Sequence, residues 1–426
     1  MTAAVVAIGV TAAPWLVAVL APGFHGGKRD LTVQLVRILF PGVGLLVLSA
    51  WCLGVLNSHR RFFLSYAAPV IWNLAIIVVT LLPGIGAAPE RIVVFTAWGA
   101  LAGSLLQFAI QFPEARRLLG GFRPSLDAGD AGVRTVLANF GPAFVSRGVA
   151  QISAFVDAIL ASLLPTGAVA ALMNAQLLYT LPVSLFGMSV AAAELPELSD
   201  AAGQGDSAHA VLRERLERAM RQVTFFVVPS AIAFLALGQV IAAAVFQTGR
   251  FTADDARYVW MILIGATVGL LATTLARLYA SAWYALQEAK RPMRFALIRV
   301  GLTIGLGYFS AVHLPGLLGV ERRWGAVGLT ASAGVAGWLE FALLRRSLHA
   351  RIGAARLPAA HLARLWGAGL VAAVVGWGML LLVQGQLGPV LRAVLVLGAF
   401  GTVYILMAWQ LGIETARELV GRLRRA

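Results

Sequence analysis

The sequence predicts an all-α polytopic membrane protein of about twelve transmembrane helices, each long enough to cross a bilayer core, which takes roughly 20 residues. Three observations predict it. Hydrophobic residues make up 59% of the chain and charged ones only 12%, against about a quarter charged in soluble domains. Long apolar runs recur from one end to the other. The basic residues, almost all arginine, crowd into alternate short loops between those runs.

The spans fall at about 3–20, 31–56, 66–83, 91–112, 134–163, 168–193, 222–246, 256–287, 295–314, 324–344, 362–384 and 390–412. They are too long for barrel strands and do not alternate apolar with polar. Glycines recur inside them, as in Gly99 and Gly103, Gly265 and Gly269, and Gly334 and Gly337. Small residues at that spacing let helices approach closely. The first span begins at Met1 with no basic or polar lead-in, so it does not read as a signal peptide. It reads as the inner part of a helix whose start lies upstream.

Arginine sets the orientation. One set of loops holds pairs and clusters such as Arg60 with Arg61, Arg116 with Arg117, Arg213 through Arg221, and Arg345 through Arg356. The other set holds far fewer cations, among them Lys28, Arg29, Arg250, Arg322 and Arg323. The excess predicts that the first set, and both termini, are cytoplasmic. The net charge of +15 is thereby explained by topology, and no nucleic-acid partner is predicted. Two cytoplasmic segments are amphipathic. Leu212, Leu216, Ala219 and Met220 stripe 208–221, with Glu214–Arg218 and Glu217–Arg221 as i,i+4 pairs. Ile413, Ala416, Val420 and Leu423 repeat the pattern at the C-terminus. Both are expected to lie as interfacial helices.

A short internal repeat suggests two lobes. Leu56-Asn57-Ser58-His59-Arg60-Arg61 resembles Leu286-Gln287-Glu288-Ala289-Lys290-Arg291, and each follows a long span. Copies in one orientation suggest lobes related by an axis along the membrane normal.

Function is sought where polar groups enter the apolar spans, because ionisable groups at membrane depth are costly unless they face a bundle interior or a wet cavity. The helix pair 134–199 carries the most: Arg147, Gln151 and Asp157 on the first span, Asn174 and Gln176 on the second. Arg147 and Gln151 share a helix face, and Asp157 is nearly aligned with Arg147 at about 3.6 residues per turn. Arg37 and Arg277 also lie inside spans, and Glu340 is expected at the interface near Arg345. No catalytic constellation appears. The six histidines lack metal-ligand spacing, there is no Walker loop, and the lone cysteine, Cys52, excludes an internal disulfide. The chain does not read as an enzyme, and no catalytic residue, cofactor or metal site is predicted.

Motifs distributed along the chain resemble the MurJ/MviN lipid II flippase family of the multidrug/oligosaccharidyl-lipid/polysaccharide exporter superfamily. They are Ala21-Pro22-Gly23-Phe24; Gly54 through Phe62 followed by Pro69 and Asn73; Thr180 through Ser199; Phe246 through Ala256; and Trp283 through Pro292. Their order and spacing carry the resemblance. That family has fourteen helices, and the spans here resemble its helices 3–14, the first two having no counterpart. The resemblance implies an incomplete N-terminal lobe of four helices at 1–125 and a C-terminal lobe of six helices at 126–350. Two additional helices and a basic cytoplasmic tail follow at 351–426.

The implied function is translocation of an undecaprenyl-pyrophosphate-linked muropeptide, lipid II, across the bacterial inner membrane by alternating access, in peptidoglycan synthesis. Arg147, Gln151, Asp157, Asn174 and Gln176 are then the expected substrate-binding residues. The lipid tail is expected against the last two helices. Expected partners are the lipid-linked substrate, membrane lipids and cell-wall synthesis proteins, with the chain acting as a monomer. Two departures stand out. The family's arginines on its first helices have no counterpart, and an Asp-Arg pair on its eighth helix is replaced by Gln176 and Leu177. These departures keep two alternatives open: export of another lipid-linked glycan or amphiphile, and a truncated, non-transporting paralogue.

Overall fold

The computed structural model describes residues 2–83, 86–120, 155–194, 208–288, 290–383, 385 and 387–423, and the described residues form helices throughout. The chain divides into two compact units, Met1–Gly148 and Val149–Ala426. Nine described helices are long and apolar enough to cross a membrane, and two bent helix pairs raise the number to eleven. Most of the remaining expected span, 134–163, lies outside the described residues.

Unit 1 begins with α1 (Thr2–Thr11) and α2 (Ala13–Leu20), which meet at a 70° bend. The bend falls just before Pro14, whose ring cannot continue a helix without displacing the preceding turn. Then come α3 (Gly26–Ser58), α4 (Phe62–Leu81) and α5 (Pro89–Leu118). α5 packs on both α3 and α4. The predicted glycines make that possible: a Cβ on Gly103 would sit 2.8 Å from the carbonyl oxygen of Trp72. Where α3 meets α5, Ser49 donates to Gln111 and accepts from Gln107 at 2.9 Å.

Unit 2 opens with α6 (155–162) and α7 (Ala168–Pro182), which runs on through a π-helical turn, Val183–Met188, to 194. Pro182 brings no amide hydrogen, and the wider turn takes up the mismatch. α8 (Ala208–Phe246) follows, then α9 (Ala253–Thr267) and α10 (Leu270–Ala285), bent by 47°. α11 (Lys290–Tyr308) passes through a second π turn, Phe309–His313, ahead of Pro315. α12 (Gly325–Ile352), α13 (Ala359–Val383), α14 (Pro389–Gln410) and α15 (Glu414–Leu423) complete it. One core joins helices from α6 to α12, and a second joins α8 to α13, α14 and the start of α15.

Two expectations change. Segment 208–221 is not a separate interfacial helix. It is the first part of α8, and Leu212 and Leu216 are fully buried. Its apolar stripe is covered by protein, and Glu217 accepts from the backbone N–H of Arg356 at 2.8 Å. The Glu214–Arg218 pair forms as expected, at 3.1 Å. The repeat register also shifts. Arg60 and Gln287 both take φ of 58°. Arg61 donates to the carbonyl of Leu56 as Glu288 does to Trp283. Both helices thus end in one left-handed cap, and the structure pairs Leu56 with Trp283 rather than with Leu286.

Several motifs behind the resemblance are helix-end devices. Thr252 and Asp255 form a reciprocal capping box at the start of α9, which satisfies two amide groups left open by the helix. Trp283 is fully buried beneath the Arg291 guanidinium, 4.6 Å from its ring centroid, and Arg291 pairs with Glu288 at 2.7 Å.

Candidate functional site

Charged and polar side chains from five helices converge inside unit 2. α11 contributes Arg299 and α12 contributes Glu340, 2.9 Å apart, with only 15% of the Glu340 side chain exposed. Asp157 on α6 lies within electrostatic reach of Arg299, and Glu340 within reach of both Arg299 and Arg277. Tyr179 on α7 shares a hydrogen bond with Thr273 on α10 and feels Arg277, Arg299 and Asp157. One Asp157 oxygen is buried with no hydrogen-bond partner in the structure. Arg299 and Glu340 therefore pair in a region where an unpaired charge would be costly, with Asp157 and Arg277 nearby. Glu340 pairs with Arg299 and not with Arg345, its neighbour in the sequence. α11 and α12 pack closely, and Arg299 meets Glu340 from across that contact.

The predicted site residues divide. Arg147 and Gln151 lie outside the described residues. Asp157 joins the charged cluster. Asn174 is half-buried and Gln176 exposed on α7. They are two residues apart, so they point about 200° apart around the axis. Gln176 and Leu177 share an exposed face with Met173, Leu181 and Leu185. Sequence reasoning missed Arg299 and Tyr179. The signal was available, because Arg299 stands alone in the run Phe295-Ala296-Leu297-Ile298-Arg299-Val300. It lies inside the expected span 295–314, close to the basic turn Lys290–Arg294.

A second feature of unit 2 is an apolar groove of about 250 Å³. Phe186 comes from the π turn of α7, Phe225, Phe226 and Pro229 from α8, Phe400 and Tyr404 from α14, and Leu419 from α15. Phe186 stacks on Phe226 with ring centroids 4.5 Å apart. The Tyr404 hydroxyl donates to the Phe225 carbonyl at 2.6 Å. That carbonyl is the one that Pro229 cannot engage, since a proline four residues on has no amide hydrogen to give. The groove's walls are thus almost wholly apolar, and its one phenol is already engaged.

The model of the family described as lipid II flippase MurJ matches residues 1–398. The chain belongs to this family. The lipid II flippase MurJ of Burkholderia cenocepacia is 31% identical over 352 residues, covering 81% of this chain and 65% of that relative. A probable lipid II flippase MurJ of Bdellovibrio bacteriovorus is 29% identical over 410 residues, covering 94% of this chain and 74% of its own length. Another from Rhizobium tropici is 31% identical, with 78% and 61% covered. The chain therefore spans between 61% and 74% of the length of these three relatives.

Among solved structures, lipid II flippase MurJ in an inward closed conformation superposes with a TM-score of 0.76 at 21% identity, covering 98% of this chain and 82% of that one. An inward-facing MATE family multidrug transporter of the MOP superfamily gives 0.64 at 18% identity, with 82% and 78% covered. The chain shares the MurJ fold and is a multi-pass inner-membrane protein.

Proposed function

We propose that the chain translocates lipid II, or a closely similar polyprenyl-pyrophosphate-linked glycan, by alternating access. The observation that carries this reading is the family match along residues 1–398. The apolar groove beside α14 supports it: an aromatic-lined slot suits an isoprenoid tail, which has surface to bury and no polar group to satisfy. In this reading Arg147, Gln151, Asp157, Asn174 and Gln176 serve the headgroup. The exposure of Gln176 supports direct contact by that side chain. The position of Asp157 near Arg299 supports action through its neighbour instead. Both termini are cytoplasmic in this reading, supported by the arginine balance of the loops.

The test is complementation of a strain depleted of its own flippase. Growth with normal cell shape is the expected result. Lysis, with the chain present in the membrane at normal abundance, overturns the reading. A second reading, export of a different amphiphile, is favoured by one observation: Gln176 and Leu177 stand where the family resemblance expects an Asp-Arg pair. Failure with lipid II in reconstituted vesicles, together with transport of another lipid-linked glycan, would select it.

A further inference from the structure

Unit 1 holds a cavity of about 420 Å³ lined by Pro14 from α2, by Arg29, Asp30, Gln34 and Arg37 from α3, and by Trp98 from α5. Its volume is within the range of roughly 300–1,000 Å³ common for small-molecule sites. Its chemistry is unusual for a membrane flank. At 1.5 Å per residue, Arg37 lies about 16 Å along α3 from its first residue, and Trp98 lies at about the same depth along α5. Neither Arg29 nor Arg37 has a carboxylate within 4.0 Å among the described residues. The neighbouring Lys28 is differently placed, with its ammonium 3.8 Å from the centroid of the Phe24 ring.

Snorkelling explains one arginine that reaches for an interface. It does not explain why two unpaired guanidinium groups and an amide share a hollow built by three helices. The start of α3 adds to the positive field, because no side chain caps its first turn and no acid lies within that turn. An anion is the missing partner, and a membrane offers it chiefly as phosphate on a lipid. Arginine's planar fork bonds two phosphate oxygens at once, which an ammonium cannot do. Trp98, half exposed beside the cavity, gives an acyl or isoprenoid chain an apolar face to lie on.

We infer that this cavity is a lipid-phosphate site, with Arg29 and Arg37 binding the phosphate oxygens and Gln34 donating a further hydrogen bond. The ligand class is a membrane lipid with an anionic phosphodiester or pyrophosphate. The arginine balance assigns this end of unit 1 to the outer side of the membrane. The inference does not depend on transport, and binding alone tests it.

Lipid retention by the purified 426-residue chain can be measured by native mass spectrometry. The probes are undecaprenyl pyrophosphate, phosphatidylglycerol and zwitterionic phosphatidylcholine. Wild type is expected to hold the anionic lipids more tightly than phosphatidylcholine. The Arg29→Gln/Arg37→Gln double variant should lose that preference by about tenfold or more, the scale of losing charge-assisted hydrogen bonds. Arg37→Lys keeps the charge without the fork and should fall between. Asp30→Asn removes the one carboxylate of the cavity and should tighten anionic binding, which keeps the test decisive if the double variant misfolds. A preference for undecaprenyl pyrophosphate over phosphatidylglycerol would mark a polyprenyl carrier as the ligand. Equal binding of the two would mark bulk anionic phospholipid. Anionic binding unchanged in both Arg37→Lys and Asp30→Asn overturns the site.

Discussion

The two units handle charge on their helices in opposite ways. In unit 2, Arg299 meets Glu340 at 2.9 Å, with Asp157 and Arg277 close by, so the Arg299 charge is met from within the unit. In unit 1, Arg29 and Arg37 face a cavity and have no acid partner among the described residues. Burial follows the same division. The most apolar window of α4 is 11% buried, and that of α8 is 61% buried. Unit 2 is assembled around its central helix and its charges hold that assembly. Unit 1 leaves Arg29 and Arg37 at a cavity, where they are available to something else. A charge that is satisfied internally stabilises structure. One left unsatisfied at a concave surface is a binding group.

The sharpest way to break this contrast is Arg299→Leu. It leaves Glu340 and Asp157 buried without their cation, and such losses cost about 3 kcal/mol or more. A large fall in the thermal unfolding midpoint of the purified chain is expected, and an unchanged midpoint would show that the pair is not structural. Next in size is Gly269→Leu. The Gly269 and Gly334 backbones are in contact, so a side chain must push α10 from α12 at a cost of about 2 kcal/mol, read in the same unfolding experiment. Tyr404→Phe removes one hydrogen bond to the Phe225 carbonyl and should cost about 1 kcal/mol. Last comes the other side of the comparison. Arg29→Gln/Arg37→Gln should leave the unfolding midpoint where it was, since no packed partner is lost. A drop comparable to that of Arg299→Leu would erase the difference between the units.

Much of the fold was legible because hydrophobic length and arginine bias are properties of contiguous sequence. The spans 31–56 and 91–112 fall inside α3 and α5, and 390–412 overruns α14 by two residues. The family was legible for a different reason. Thr252 with Asp255, and the turn after Trp283, are local devices that end helices, so their whole meaning sits within a few residues. The charged cluster was not legible in that way. Arg299 and Glu340 are on different helices, and only packing shows that each is the other's partner. The same is true of 208–221. Its stripe predicts an apolar contact, but whether lipid or protein supplies it depends on helices far along the chain. The break in 256–287 escaped detection because Thr267-Val268-Gly269-Leu270 is as apolar as an unbroken helix.

That break bears on how the protein is made. Where α9 gives way to α10, the carbonyl of Val268 accepts from the indole nitrogen of Trp338 at 2.8 Å. That donor belongs to α12, which is synthesised later. A backbone group inside lipid has no water to turn to, so the bent span emerges from the ribosome with a polar debt that its own sequence cannot settle. Its insertion is provisional until α12 enters beside it. Trp338→Phe would therefore be felt during biogenesis, as a longer-lived, protease-sensitive intermediate, before it was felt in the finished protein.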